Sequence, residues 1–363
     1  DQINRLQSNR ATIDIEPGDE AGNSVVVVRN EPRKPWTAGI AVDNTGTDLT
    51  GLYQIAGSFG YDNLLGVNDL LNVWVRQNLD ADEDRKLSRS FSSLLSVPYG
   101  RWLASLGAST FRTVSTIQGS VSDFVSESWF TTLNARVDRI MYRDQRTKWS
   151  LGANLTSKNT ESHLNGQFVA VSSPTLTVLD LTSNLTWLLP AGLVSFDAGY
   201  SRGLDALGAN TDPAGLPGGA PQAQFGKIFG ALGFFGSFAA GPVPLALQST
   251  LSGQYTDDTL YGTGRIAIGG PFSVRGFRRF ALSGDVGWLW RNDLGVPLNL
   301  AQLFGTQALN GVLRPYVGLD VGHVQERNGV PGGTLAGATV GVSVAMRPLS
   351  IQLAYSEPIA TPG

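Results

Sequence analysis

Two short segments concentrate the residues of this sequence that could do chemistry. One is a glycine-rich stretch with an arginine near its end, Gly262-Thr-Gly-Arg-Ile-Ala-Ile268-Gly-Gly-Pro-Phe-Ser-Val-Arg-Gly-Phe277. The other is a carboxylate framed by glycines, Gly318-Leu319-Asp320-Val321-Gly322. Neither has the makings of a catalytic centre. Cysteine is absent and only His163 and His323 are present, which leaves thiolate metal sites, thiol nucleophiles and histidine-centred triads little to draw on. Asp80-Ala-Asp82-Glu83-Asp84 has the one-three-five spacing of a calcium loop. Arg85 stands where the turn glycine is needed, however, and no glutamate follows at the twelfth position, so the run reads as a solvated external loop. The glycines at 262, 264, 269 and 270 lack the βαβ setting of a dinucleotide fingerprint, and Gly226-Lys227 lacks the upstream glycine of a P-loop. No nucleophile–base pair or paired-carboxylate site stands out, so no enzyme, cofactor or metal is expected. Glycines beside Asp320 leave room for another chain segment to approach closely. The carboxylate reads either as such a contact or as a wetted residue of a polar interior.

The elements that must position these segments are strands. Side chains alternate apolar and polar from residue 36 almost to the end. Between Thr177 and Leu189 one parity reads Leu179, Leu181, Leu185, Trp187, Leu189 and the other Asp180, Thr182, Asn184, Thr186. Residues 335–348 repeat the pattern, with Ala336, Ala338, Val340, Val342, Val344 and Met346 against Gly337, Thr339, Gly341, Ser343 and Arg347. Strands are expected over 36–44, 51–62, 69–79, 88–99, 101–115, 127–143, 147–160, 176–189, 192–204, 225–240, 243–258, 280–294, 311–325, 334–347 and 349–358. Most exceed the five or six residues usual in soluble sheets and match the roughly 9–11 of a tilted membrane-spanning strand. Short turns at 99–101, 144–146, 190–191, 241–242 and 347–348 alternate with long loops such as 205–224 and 259–279, the asymmetry of an outer-membrane barrel. Residues 296–310 suggest a helical excursion on the short-turn side. In the strand over 311–325 the apolar parity is Leu313, Val317, Leu319 and Val321, so Asp320 faces the polar interior with Gly318 and Gly322. Tyr99, Trp102, Trp149, Trp187, Tyr255 and Tyr355 fall near strand ends, where aromatic girdles sit.

Bulk composition agrees. Charged residues make up 16% of 363, against about 25% in ordinary soluble domains. With 16 Phe, 8 Trp and 9 Tyr the chain is too aromatic for disorder. A net charge of −3 without a basic stripe gives no case for nucleic acid. No apolar run approaches the roughly 18–20 residues of a helical span. Bacterial barrels have even strand numbers, so a sixteenth strand is expected beyond residue 363. Residues 1–35 hold two short strands around a Pro/Gly-rich acidic turn, too little for a core.

Ser273-Val-Arg-Gly-Phe277, preceded by Ile268-Gly269-Gly270, resembles the signature loop of the superfamily that includes BamA and the TpsB transporters. Gly318-x-Asp320-x-Gly322 resembles its second signature, on strand thirteen of sixteen. Pro17-Gly18, Ser24-Val-Val-Val-Val and Pro35-Trp36, followed by Asp43-Asn44-Thr-Gly-Thr-Asp-Leu-Thr-Gly51, resemble the junction from the last POTRA domain into strand one of TpsB proteins. Asp62-Asn63-Leu-Leu-Gly-Val-Asn-Asp69 is similar to the next turn. The resemblance runs from about residue 4 to 359. Tyr316 before the second signature, and Arg278 and Arg279 after the first, are mild departures.

The resemblance implies an all-β fold, a 16-stranded antiparallel transmembrane β-barrel of which 15 strands are visible. It divides the chain into 1–35, the end of a POTRA domain with its linker, and 36–363, the barrel. It further implies that the loop folds into the lumen, Arg275 pairing with Asp320, Gly276 permitting the tip and Phe277 wedging against the wall. Ser273 and Val274 complete the signature. The family's plug helix and most POTRA machinery are expected outside these residues. As a relative of the filamentous-haemagglutinin and contact-dependent-inhibition transporters, the chain is expected in a Gram-negative outer membrane, N-terminal side periplasmic. It is expected as a monomer among lipid and lipopolysaccharide, exporting a large unfolded TpsA-type protein without ATP. A BamA-like assembly factor and a passive porin are the competing readings.

Overall fold

The computed structural model describes residues 4–20, 22–119, 122–306 and 309–361. It is all-β. A separate hairpin of β1 (Ala11–Pro17) and β2 (Ser24–Asn30), with Ala11 opposite Asn30, precedes the main sheet. That sheet is antiparallel and starts with β3 (Trp36–Asp43), β4 (Gln54–Asp62), β5 (Leu70–Asn78) and β6 (Lys86–Tyr99). It continues with β7 (Trp102–Ile117), β8 (Phe124–Arg143), β9 (Thr147–Leu164) and the two-residue β10 (Gln167–Phe168). Next come β11 (Thr175–Leu189), β12 (Gly192–Leu204), β13 (Gly226–Ala240) and β14 (Val243–Tyr255). The chain then leaves the sheet to form a small hairpin, β15 (Ile266–Ile268) with β16 (Leu282–Gly284). It returns as β17 (Gly287–Gly295), the two-residue β18 (Leu298–Asn299), β19 (Gly311–Val324), β20 (Gly333–Met346) and β21 (Leu349–Ala360).

The chain divides into two compact units, 1–139 with 154–176, and 140–153 with 177–363. In the first, β3 to β8 pair in sequence order. In the second, β11 to β14 do the same, β14 pairs with β17, and β17, β19, β20 and β21 follow in order.

Among the described residues the main sheet has fifteen long strands, each overlapping one expected from alternation. A sixteenth long strand is not found among the described residues, and Pro362 and Gly363 lie outside them. Two expected starts are corrected. The strand expected over 51–62 starts at Gln54, because Gly51 is drawn into a turn, bridging Thr47 and accepting from the Gln54 side-chain amide at 2.8 Å. The strand expected over 280–294 starts at Gly287. Residues 282–284 pair instead with 266–268, where Leu282 is buried among residues of the loop. Alternation continues through both pieces, so it cannot show that the partner changes.

The faces sort as the pleat demands. Along β8, Trp129, Leu133 and Val137 are exposed, while Arg136 and Asp138 pair at 2.6 Å on the other face. Along β19, Val317 and Leu319 are exposed and Tyr316, Gly318, Asp320 and Gly322 are buried. A contiguous exposed apolar face of this extent has no place in water. All six expected girdle aromatics are on the exposed side. The excursion after β18 is the helix α1 (Leu300–Phe304), capped by the Asn299 side chain accepting from Gln302 N and closed by Gly305 in the left-handed region. No helix among the described residues is long and apolar enough to cross a membrane.

Candidate functional site

The segment between β14 and β17 folds back along the polar face of the second unit and carries Arg275 to Asp320 of β19. Arg275 Nε lies 2.5 Å from Asp320 Oδ2 and Nη2 lies 2.7 Å from Oδ1, a two-pronged contact that fixes direction as well as distance. The Arg275 backbone N–H also donates to Oδ2, at 3.1 Å. Nη2 reaches the Asn292 carbonyl at 3.3 Å and lies 2.7 Å from Asp293 Oδ1, an ion-pair distance without hydrogen-bond alignment. Asp320 is fully buried and Arg275 nearly so. Attraction in such a place is screened little, but both ions lose hydration, so the secure consequence is position rather than net stability.

Glycines make the approach possible. A Cβ on Gly337 of β20 would stand 1.9 Å from the Arg275 carbonyl oxygen, and one on Gly318 would stand 2.4 Å from Arg275 Nη2. Gly276 has a φ of +97° and rests against the Glu357 backbone of β21, so it is needed both for its dihedral and for its lack of a side chain. Gly322 faces Ile268 and Val274, each 3.0 Å from a Cβ placed there.

Around this contact lies an apolar cluster of Ile268, Val274, Phe277 and Leu282 from the loop with Val324 and Leu335 from β19 and β20. Fully burying a Val or Phe side chain contributes about 1.5–3 kcal/mol, so the cluster holds the tip together with the ion pair. Gly269 and Gly270, with φ of +101° and +117°, turn the chain from β15 into the tip. Ser273 closes that turn, its N–H donating to the Gly270 carbonyl at 3.3 Å.

The structure thus brings together Ile268, Gly269, Gly270, Ser273, Val274, Arg275, Gly276, Phe277, Gly318, Asp320 and Gly322. Asp293, Gly337 and the Glu357 backbone also belong to the site and are missed by sequence reasoning. Gly337 was visible on the polar parity of its strand, but nothing local distinguishes it from Gly341. In the rejected calcium run, Asp80 binds Lys86 Nζ at 2.6 Å and Glu83 binds Arg89 and Arg112.

The family model of the haemolysin secretion/activation protein ShlB/FhaC/HecB matches residues 22–344. The chain belongs to this family. Among its relatives, the outer membrane transporter CdiB-2 of Burkholderia pseudomallei (strain 1026b) is 31% identical over 345 residues, covering 94% of this chain and 57% of the relative. The hemolysin transporter protein ShlB of Serratia marcescens is 31% identical over 359 residues, covering 97% and 62%. The chain therefore spans about three fifths of the length of these relatives. The solved structure of CdiB from Escherichia coli superposes with a TM-score of 0.89 at 27% identity, over 99% of this chain and 66% of that one. BamA from Haemophilus ducreyi lacking POTRA domains 1–3 superposes at 0.56 with 12% identity, over 96% and 72%, a likeness of fold alone. The exposed apolar face fits a family whose relatives include proteins named outer membrane transporters.

Proposed function

We propose that this chain is the barrel of an outer-membrane transporter that passes a large, unfolded secreted protein to the cell surface. The cargo is of the TpsA class, a haemolysin, adhesin or contact-dependent toxin. Residues 1–35 end the last POTRA domain and lie in the periplasm, while the barrel works as a monomer among lipid and lipopolysaccharide. The chain performs no catalysis. Folding of the cargo outside, or a bias against its return, replaces ATP as the drive.

The observation that carries this reading is the inward loop held by Arg275 on Asp320. A passive pore has no need of the two signature segments that meet here, whereas a transporter needs an interior obstruction that is positioned and releasable. Polar side chains on the interior parity, such as Asn134, Asp180 and Asn184, let an extended chain pass; Asn184 and Asp180 hydrogen-bond to Asp197 and Ser201.

The test is secretion of a co-encoded partner by Arg275→Ala and Asp320→Ala, with barrel assembly followed by heat-modifiable electrophoresis. Secretion is expected to fall at least about tenfold with the barrel intact, the ratio set by losing one charged hydrogen-bonded contact. Wild-type secretion by both variants sinks the lock. Envelope-wide loss of other barrels on deletion, with secretion untouched, points to an assembly factor instead.

The lipid-facing assignment makes its own prediction. Leu133→Arg on the exposed face of β8 is expected to destabilise the barrel by about 2–4 kcal/mol if the residue lies near the bilayer midplane, and Thr132→Arg on the opposite face by much less. Denaturant unfolding in lipid vesicles measures both. Equal losses contradict the assigned faces.

A further inference from the structure

We propose that Arg265 and Asp285 anchor the root of the inward loop, and that the loop lets go only at its tip. The proposal rests on the transporter reading above and specifies how the loop can move.

The root is built around a buried carboxylate that the tip contact does not use. Asp285, 2% exposed, accepts from the Leu260 N–H at 3.0 Å and from Arg265 Nε at 3.1 Å through the same oxygen. Arg265 Nε also reaches the Leu260 carbonyl, at 3.1 Å. The two ends of the loop, near 265 and 285, are thereby joined to each other. They are also joined to the wall. Gln254 of β14 donates to the Asp285 carbonyl at 2.9 Å and to the Gly264 carbonyl at 3.2 Å, and Lys227 of β13 donates to Gly264 at 3.0 Å.

Neighbouring loops hold the arm that leads into the root. Arg327 donates to the Thr256 carbonyl at 2.7 Å, and Asn328 to the Thr259 hydroxyl at 2.7 Å. The Gln222 N–H donates to the Thr259 carbonyl at 2.8 Å. Leu260, between these contacts and Asp285, is fully buried.

Root and tip therefore differ in kind. The root spreads its polar contacts over Lys227, Gln254, Arg265, Asp285, Arg327 and Asn328, with the Arg265–Asp285 ion pair tying the two ends of the loop to each other. The tip is held by the Arg275 guanidinium, by a hydrogen bond from Arg291 of β17 to the Pro271 carbonyl at 2.9 Å, and by a small apolar cluster. Between them stands the β15–β16 hairpin, with Ala267 opposite Ser283. Gly269 and Gly270 follow at once, both in dihedral regions that leave a change of direction cheap. Arg265 and Asp285 are positioning residues in this scheme. They deliver Arg275 to Asp320 and keep the stem in place when that contact opens.

The sequence has no cysteine, so introduced thiols are unique probes. Val274→Cys places a thiol at a fully buried tip position. In outer-membrane vesicles carrying the protein, adding Arg265→Ala to Val274→Cys is expected to speed maleimide labelling at least about tenfold. Arg265→Lys, which keeps the charge, is expected to restore much of the protection. An unchanged labelling rate with Arg265→Ala overturns the anchor. Should Arg265→Ala fail to assemble, a second measurement decides. Ala267→Cys with Ser283→Cys forms a cross-strand pair within disulfide reach. The oxidised pair is expected to secrete as well as the reduced one, because the stem does not open. A block on secretion that appears only on oxidation overturns the proposal. If the unsubstituted protein exports no partner, the transporter reading fails, while labelling of Val274→Cys still decides the anchor.

Discussion

Asp320→Ala is expected to detach the loop tip without unfolding the barrel. The substitution leaves the Arg275 guanidinium buried beside a single carboxylate, Asp293, which lies within 2.7 Å but out of hydrogen-bond alignment. Removing one partner of a buried pair typically costs about 3–5 kcal/mol, because an ion remains without its compensation. That penalty is of the same size as the burial of Val274 and Phe277, about 1.5–3 kcal/mol each, so it offsets what holds the tip in place. The ladder from β14 through β17 to β20 does not pass through the loop, so the sheet is not what yields. The tip yields, and Val274 and Phe277 become accessible. Limited proteolysis of the loop in vesicles, together with heat-modifiable electrophoresis of the barrel, reads the two parts separately. The double variant Arg275→Ala/Asp320→Ala is expected to cost less than the sum of the single ones, since no unpaired ion remains. A loop that stays protected in Asp320→Ala shows that the apolar cluster alone holds it.

Gly337→Val is expected to displace the tip as well, through shape rather than charge. Its backbone lies in β20, where a β-branched residue is otherwise favoured. The obstacle is the Arg275 carbonyl oxygen, 1.9 Å from where the first side-chain atom must go. Overpacking of this kind costs about 1–3 kcal/mol when neighbours can shift, and here the neighbour able to shift is the loop. Even Gly337→Ala introduces the colliding atom, so both substitutions are expected to expose Val274 to thiol labelling when it is replaced by Cys. In an Asp320→Ala background Gly337→Val is expected to add little, because the tip has already left. Additive effects place the two substitutions on separate structures.

Much of the fold was legible because a strand with one face in an apolar medium must alternate. Each of the fifteen strands announced itself through parity, and short turns announced themselves through residues suited to them. Asp144, for example, accepts the Arg146 and Thr147 N–H groups to close the turn between β8 and β9. The start of β17 was not legible, since residues 282–284 carry the same alternation while pairing with 266–268 instead of the wall. Of the site, Arg275 and Asp320 stood out only because their glycine settings resemble known signatures. Asp293 sits in Trp-Arg-Asn-Asp, and Gly337 in Ala-Gly-Ala, with no local mark of what they meet. Asp285 and Arg265 were equally silent, each an ordinary charged residue beside glycine-rich loop.

The sequence by itself determined which side chains face outward and which face inward, because that depends on the pleat of each strand and on nothing distant. Glycine-framed Asp320 was likewise assigned to the polar side by parity alone. Only the tertiary structure decided what that carboxylate meets. Arg275 lies 45 residues earlier, and it reaches Asp320 because a root at 265 and 285, a short hairpin and three glycines on neighbouring strands set the path of the loop. Periodicity carries no information about such meetings. They are selected by close approach and by the high cost of a buried ion left without its partner.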